Sequence, residues 1–246
     1  MTEKEFLQTY DSSKYEKPSV TVDILIFTIN QDMELELLLI KRGAHPFKDK
    51  WALPGGFVNM KESLDEAARR ELREETGADG EFHLEQLYTF GTVDRDPRMR
   101  VISVAYMALV PKTSIKLKAG DDAAEAEFFQ AAVHNWEVTF RSQSGKVISM
   151  EDMAFDHAEI IRTGLKRLAG KLDYTDIAFE LLEDKNNFTI GELQKIYECI
   201  KGQTLNTGNF WKSFKKKYVD EKIVIETEHL SQRFSKKPSK CYRYIR

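Results

Sequence analysis

The sequence predicts an α+β protein in two parts, a mixed strand-and-helix body followed by a smaller helical piece that closes on two strands. β-Branched runs recur through the body, segments with helical spacing alternate with them, and the charge balance changes sign along the chain. In 246 residues there are 37 Lys and Arg against 40 Asp and Glu, a formal net charge of −3. That near-neutrality is a sum of unlike halves. Residues 185–246 hold 14 basic and 6 acidic side chains, whereas residues 1–184 hold 23 and 34. Charge asymmetry of this kind points to a nucleic-acid partner for the basic part, or else only to lysine as a common surface residue. With 41% hydrophobic residues the chain is not a disordered polymer. No run approaches the roughly 18 apolar residues of a membrane span, and Met1 to Lys17 lacks the apolar centre of a signal peptide. Two cysteines, Cys199 and Cys241, are too few for a disulfide framework or a metal knuckle. A cytoplasmic protein with no membrane partner is expected.

Taken in order, residues 1–17 read as a loosely held arm, residues 18–172 as the body and residues 173–246 as the tail domain. Val20 to Ile29 and Leu35 to Lys41 are apolar, β-branched strands separated by a turn at Asn30–Asp32, and Ala44 to Lys50 is a loop. Glu62 to Thr76 is rich in Ala, Leu, Glu and Arg and is followed by Gly77, where a helix-terminating glycine belongs. Leu84 to Val93 and Val101 to Val110 read as strands around a charged loop, Asp94 to Arg100, and Glu125 to Phe129 as a further short strand. Trp136 to Phe140 and Lys146 to Met150 form a hairpin, and Phe155 to Leu168 is a helix with Ile160, Ile161, Leu165 and Leu168 in one stripe. In the tail, Ile177 to Leu182 is a short helix. Thr189 and Glu192 form a capping box for a second helix ending at Lys201–Gly202, and Asn206 caps a third, Thr207 to Lys217. Lys222 to Ile225 and Cys241 to Ile245 follow as strands. Three helices and then a two-stranded ribbon is the order of a winged helix-turn-helix.

One segment carries chemistry. Glu71, Glu74 and Glu75 stand at i, i+3 and i+4, which places three carboxylates on one helix face. Such a cluster repels itself unless a cation lies among it, and hard oxygen ligands suit Mg²⁺ or Mn²⁺. Arg70 is placed to pair with a neighbouring Glu, and Gly55–Gly56 lets the backbone turn tightly and bring a carbonyl to the ion. A polyphosphate held through that ion is open to attack by water at phosphorus.

From Gly56 to Ala78 this segment resembles the Nudix box, Gly-x5-Glu-x7-Arg-Glu-U-x-Glu-Glu-x-Gly-U, with U a bulky aliphatic. All seven fixed positions match: Gly56, Glu62, Arg70, Glu71, Glu74, Glu75 and Gly77. Leu72 fills the first U, and the small Ala78 departs at the second. Seven residues at about 7% each give a chance of about 10⁻⁶ over the whole chain. The resemblance implies a Nudix fold, a mixed sheet sandwiched by helices, and a divalent metal held by Glu71, Glu74, Glu75 and the Gly56 carbonyl. It assigns Glu62 and Arg70 supporting positions. It leaves the general base open between Glu71 and an acid from a late loop, where Asp122 stands with Asp121 and Glu125 near it.

His45 to Val58, Arg95 to Tyr106 and Ala154 to Leu168 are similar to one branch of this superfamily. That branch contains ADP-ribose pyrophosphatases and Nudix-related transcriptional regulators with a C-terminal winged helix. An ADP-ribose-like nucleotide is therefore the expected ligand, and Arg95, Arg98 and Arg100 are candidates to pair with its diphosphate, since guanidinium forks match phosphate oxygens. Arg95 can equally pair with Asp94 or Asp96 and shape its loop. Phe47 is a candidate to stack on adenine, as is Tyr106, although aromatics so placed more often belong to a core. In the tail, Thr207, Asn209, Lys212, Ser213, Lys216 and Lys217 form the expected face towards double-stranded DNA. Lys236, Lys237, Lys240 and Arg243 lie on or near the wing, and Phe210, Trp211 and Phe214 are expected in the core. The primary expectation is a metal-dependent hydrolase cleaving ADP-ribose, or a related nucleoside diphosphate sugar, to AMP and a sugar phosphate. The alternative is an ADP-ribose-sensing, DNA-binding regulator with little or no turnover, and a third possibility joins the two. Members of the branch are commonly dimers, and a homodimer is expected.

Overall fold

The computed structural model describes residues 1–78, 80–117, 123–134, 137–233 and 237–246. Asp121, Asp122, Trp136 and Lys236, singled out above, lie outside the described residues. The arm is more regular than its composition suggests. A capping box between Thr2 and Glu5 starts helix α1 (Glu3–Thr9), yet none of its residues is buried.

The body is a mixed sheet between helices. Strands β1 (Ser19–Ile29), β2 (Leu35–Arg42), β3 (Trp51–Ala52) and β4 (Gly55–Phe57) precede helix α2 (Leu64–Thr76). Strands β5 (His83–Phe90), β6 (Val101–Leu109), β7 (Ala123–His134), β8 (Glu137–Ser142) and β9 (Val147–Ile148) lead to helix α3 (His157–Lys171). The strand order is β5-β6-β1-β2-β7-β8-β9, with β3 beside β2 and β4 beside β1. β1 and β6 run parallel while the other pairs are antiparallel. The apolar run Ile24 to Phe27 of β1 is explained by burial on both faces. Val22, Ile24 and Ile26 pack towards Ala67, Ala68 and Leu72 of α2, whereas Leu25, Phe27 and Ile29 join a second core with Ile161, Leu165 and Leu168 of α3.

Several boundaries differ from expectation for local reasons. Helix α2 begins at Leu64 because Ser63 and Glu66 form a capping box, which leaves Glu62 in the preceding loop. Helix α3 begins at His157, and Phe155 stands before it with φ +51. Strand β7 is 12 residues long, far beyond the short strand expected, because it pairs along β2 on one side and β8 on the other. Gly77 and Gly202 close α2 and α4 (Ile190–Lys201) in the left-handed conformation, at φ 59 and 62.

The tail is a winged helix. A 3₁₀ turn (Ile177–Leu181) precedes β10 (Phe188–Thr189), the capping box of Thr189 and Glu192 starts α4, and Asn206 caps α5 (Thr207–Phe214). A π-helical turn, Lys215–Val219, extends α5, and β11 (Val224–Ser231) pairs with β12 (Ser239–Tyr244), which also holds β10. This head is not a bead on a linker. One core cluster runs without interruption from Leu25, Phe27 and Phe129 through Leu168 and Leu172 to Phe179, Leu193, Phe214 and Tyr242. Among the described residues no helix is long and apolar enough to cross a membrane.

A buried ion pair offers a test of this packing. Glu36 on β2 is 2% exposed and is met by Lys112, whose ammonium also lies 3.5 Å from the centre of the Phe128 ring. Lys112→Met strands a buried carboxylate and is expected to lower stability by about 3 kcal/mol in urea denaturation. Lys112→Met with Glu36→Gln recovers most of it. Equal stabilities for wild type and Lys112→Met count against the pair.

Candidate functional site

The carboxylate face expected of α2 is present, and its members differ in environment. Glu71 and Glu75 are buried, while the Glu74 side chain is largely exposed. Arg70 ties the face together. Its Nη1 donates to Glu71 at 2.7 Å and Glu74 at 3.2 Å, and Nε and Nη2 grip Glu62 at 3.1 and 2.8 Å. The guanidinium bond to Glu62, with the Asn59 amide and its side chain, holds that carboxyl at about 2. Glu75 lies beyond the reach of Arg70. One of its oxygens is buried without a hydrogen-bond partner, and burial, reinforced by the charges of Glu71 and Glu74, pushes its carboxyl up to about 7. Burial likewise raises Glu71.

These residues fit a hard divalent cation. Every donor is oxygen, and the orphaned oxygen of Glu75 lacks the positive partner that burial demands. A Cβ on Gly56 would overlap the Glu71 carboxylate, so a side chain there would push that carboxylate out of its present place on the face. Among the described residues no three His, Cys, Asp or Glu side chains are already drawn together as a ligand cage, and Arg70 instead draws Glu71 and Glu74 to itself.

The face opens on a cavity of about 880 Å³. Gly56, Glu71, Glu74 and Glu75 line one side, and Arg98, Phe155 and His157 another. Here the structure corrects the ligand expectations. Arg95 is in the wall but only 8% exposed. It donates to both oxygens of Asp156, at 2.8 and 2.6 Å, and to Asp23 at 3.3 Å. Burial alone would lower its pKa, and the bond to Asp156 with the charge of Asp23 outweighs this and raises it. Its partners are thus Asp156 and Asp23 instead of the neighbouring Asp94 and Asp96, and the residue is a strut. Arg98 lines the cavity over the rings of Phe57 and Phe155 while bound to Asp96. Arg100 donates to the Gly91 and Thr92 carbonyls and does not line the cavity, so it shapes the loop. Phe47 is exposed and does not line the cavity; its ring lies 4.7 Å from that of Phe155, which does. Tyr106 is buried and donates to Asp65 at 2.5 Å.

Asp23, Asp156 and His157 are functional-site residues that spacing did not reveal. His157 is buried, its Nδ1 accepts the Leu53 amide at 2.8 Å, and burial lowers its pKa, which keeps the ring neutral. The Phe-Asp-His run, Phe155 to His157, was the only local signal of this corner.

On the tail, Thr207, Asn209, Lys212, Ser213 and Lys216 are exposed on one helix, together with Trp211, 48% exposed and not in the core as expected. Phe214 is buried, and Phe210 is partly buried with its ring edge-on to Tyr197. Lys217 is turned inward and donates to the Leu172 and Thr175 carbonyls. On the wing, Lys237, Lys240 and Arg243 are exposed, and Lys240 is paired with Glu226.

Comparison with known proteins adds to this geometry. Residues 17–149 match the NUDIX domain family, and residues 178–244 match the NrtR DNA-binding winged helix domain. The chain is 36% identical, over 99% of its own length and 88% of the relative's, to the ADPR responsive transcriptional repressor NtrR of Acinetobacter baylyi. It is 38% identical to the ADP-ribose pyrophosphatase of Methanocaldococcus jannaschii, over 65% of this chain and 82% of that one. Among solved structures, Shewanella oneidensis NrtR complexed with a 27mer DNA superposes with a TM-score of 0.69 at 27% identity, over 92% of this chain and 93% of that one.

Proposed function

Since the chain belongs to the Nudix family, in the branch that carries an NrtR-type winged helix, we propose that it is a DNA-binding transcriptional regulator whose effector is ADP-ribose or a closely related nucleoside diphosphate sugar. The observation that carries this is the shared core: the cavity domain and the winged helix are one packed body, so a change at the cavity wall bears directly on the helix that faces DNA. Whole-length similarity to a repressor supports it. In this reading Thr207, Asn209, Ser213 and Trp211 face base edges, and Lys212, Lys216, Lys236, Lys237 and Lys240 meet phosphates, with Lys240 leaving Glu226 to do so. A homodimer would present two such helices to a palindromic site.

The test is binding to DNA from upstream of the protein's own gene, measured by fluorescence anisotropy across a salt series. The affinity is expected to fall steeply with salt, and Lys212→Ala with Lys216→Ala to flatten that slope by about two counterions. Saturating ADP-ribose weakens binding. No binding at low salt, or binding indifferent to ADP-ribose, overturns the reading.

A second reading, hydrolysis, has its own observation in the unpartnered Glu75 oxygen. Glu71, Glu74, Glu75 and the Gly56 carbonyl would hold Mg²⁺ or Mn²⁺, and Arg98 would reach the diphosphate. A divalent ion there supplies charge neutralisation for the phosphate oxygens and makes phosphorus open to water. Arg70, bound to Glu62 through Nε and Nη2, would hold the loop before α2 in place with the ion bound. The products would be AMP and a sugar phosphate, and the same protein can then clear its own effector.

A further inference from the structure

The ends of α3 touch the two functions of the molecule, and we infer that this helix is the strut through which the DNA-facing helix reads the cavity, with the Tyr197–Tyr218 hydroxyl pair and Lys217 as its joint. The inference rests on the regulatory reading above. At its N-terminal end α3 is built into the cavity wall. Phe155 faces the cavity, Asp156 binds both Nε and Nη2 of Arg95, and His157 accepts the Leu53 amide. The helix start is therefore tied both to the 94–100 loop and to the chain entering Gly55–Gly56.

Along its length the helix cannot easily bend. Ile160, Ile161, Leu165 and Leu168 are buried against the sheet, and a Cβ on Gly164 would meet Leu25 at 2.6 Å. Fifteen helical residues carry a displacement about 22 Å. At the far end, the Leu172 carbonyl accepts from Tyr197 Oη and from Lys217 Nζ, each at 3.1 Å, and Lys217 also donates to Thr175 at 3.0 Å. Tyr197 has a single hydroxyl hydrogen, and it goes to Leu172. Tyr218 therefore donates to the Tyr197 oxygen, at 2.6 Å. Lys217 and Tyr218 belong to the π turn that continues α5. The exposed face of α5 thus hangs from the C-terminal end of α3.

A diphosphate entering the cavity supplies the bias. Asp23 and Asp156 share Arg95, and an anion in the cavity, which Asp23 and Arg95 line, repels their carboxylates. Asp156 stands at the helix start, so the ligand distinguishes between two positions of α3, which a population shift requires.

The test is Tyr197→Phe with Tyr218→Phe. Both hydroxyls go together, so no buried polar group is orphaned between them, Leu172 keeps Lys217, and both rings remain to pack. DNA affinity is measured with and without saturating ADP-ribose, ADP-ribose affinity alone, and thermal stability alongside. In wild type the ligand is expected to weaken DNA binding by roughly ten- to a hundred-fold, and DNA to weaken ligand binding by the same factor. In the variant each separate affinity stays within about twofold of wild type while that factor falls severalfold, Lys217 being left as the remaining link. An undiminished factor in the variant overturns the strut while leaving the regulatory reading intact. A wild type that binds no DNA, or ignores ADP-ribose, overturns the regulatory reading and the strut with it. Should the double variant not fold, Tyr218→Phe alone removes the bond between the two hydroxyls and is judged by the same ratio.

Discussion

Glu74→Gln together with Glu75→Gln is expected to abolish Mg²⁺-dependent release of AMP from ADP-ribose, lowering the rate by about 10²–10⁴-fold, while the protein stays folded and still binds DNA. The argument is electrostatic. Glu75 is buried beside Glu71, beyond the reach of Arg70, and one of its oxygens has no partner among the described residues. Glu74 is the exposed member of the same face. Replacing both by amides removes two charges that would hold the ion and leaves the volume of the helix face unchanged. The folded state loses no salt bridge except Arg70 to Glu74, the exposed i,i+4 pair, worth well under ~1 kcal/mol. Retention of DNA binding separates catalysis from regulation. If wild type turns over no nucleotide on a broad panel with Mg²⁺ or Mn²⁺, the hydrolytic reading is wrong and the cavity serves as a receptor alone.

The same residue sets a pH dependence. In the folded chain the Glu75 carboxyl sits at about 7, against 4.5 for the ordinary side chain. The folded state therefore holds a proton that the unfolded state has released, and stability present below about 4.5 is lost as pH rises through about 7. In EDTA, urea denaturation is expected to show wild type losing on the order of 3 kcal/mol relative to Glu75→Gln between pH 4.5 and 8. Saturating Mg²⁺ reduces the difference. A pH-independent difference between the two proteins would show that Glu75 is solvated.

The parts of the molecule that were legible in the sequence are those written in adjacent residues. The capping box of Thr189 and Glu192, the glycines after α2 and α4, and the spacing of Glu71, Glu74 and Glu75 are local patterns, and each takes its place in the structure. Ser63 and Glu66 form the same kind of box and were just as readable, but the helical composition beginning at Glu62 obscured it. What was hidden depends on distant pairs. Arg95 meets Asp156 and Asp23, 61 and 72 residues away, and nothing in the Arg95 to Arg100 run foretells that. Nor does charge foretell the shared core. The acidic and basic halves differ on their surfaces, while Leu172, Phe179, Leu193 and Phe214 join them through apolar contact. Trp211 was misplaced for the related reason that an aromatic in a short helix looks like core until the helix is seen to turn that side outward.

Arg95→Met separates the two roles open to that arginine. If it served chiefly to bind diphosphate, the variant would lose ligand affinity and keep its stability. The structure argues for the opposite balance. The Arg95 side chain is 4% exposed, and those of Asp23 and Asp156 are only 11% and 18% exposed. Ser103 also donates to Asp23, which satisfies a lone pair but brings no positive charge. Methionine fills most of the space and leaves two carboxylates facing each other in a poorly solvated wall. The expected cost is about 3–5 kcal/mol in urea denaturation, the range for a buried pair broken from one side. Asp156→Asn added to Arg95→Met removes one of the stranded charges and restores a large part of that loss, so the two substitutions couple by well over 1 kcal/mol in a double-mutant cycle. Additive effects of the two substitutions would mean that Arg95 and Asp156 do not act as a pair, and would return Arg95 to the ligand.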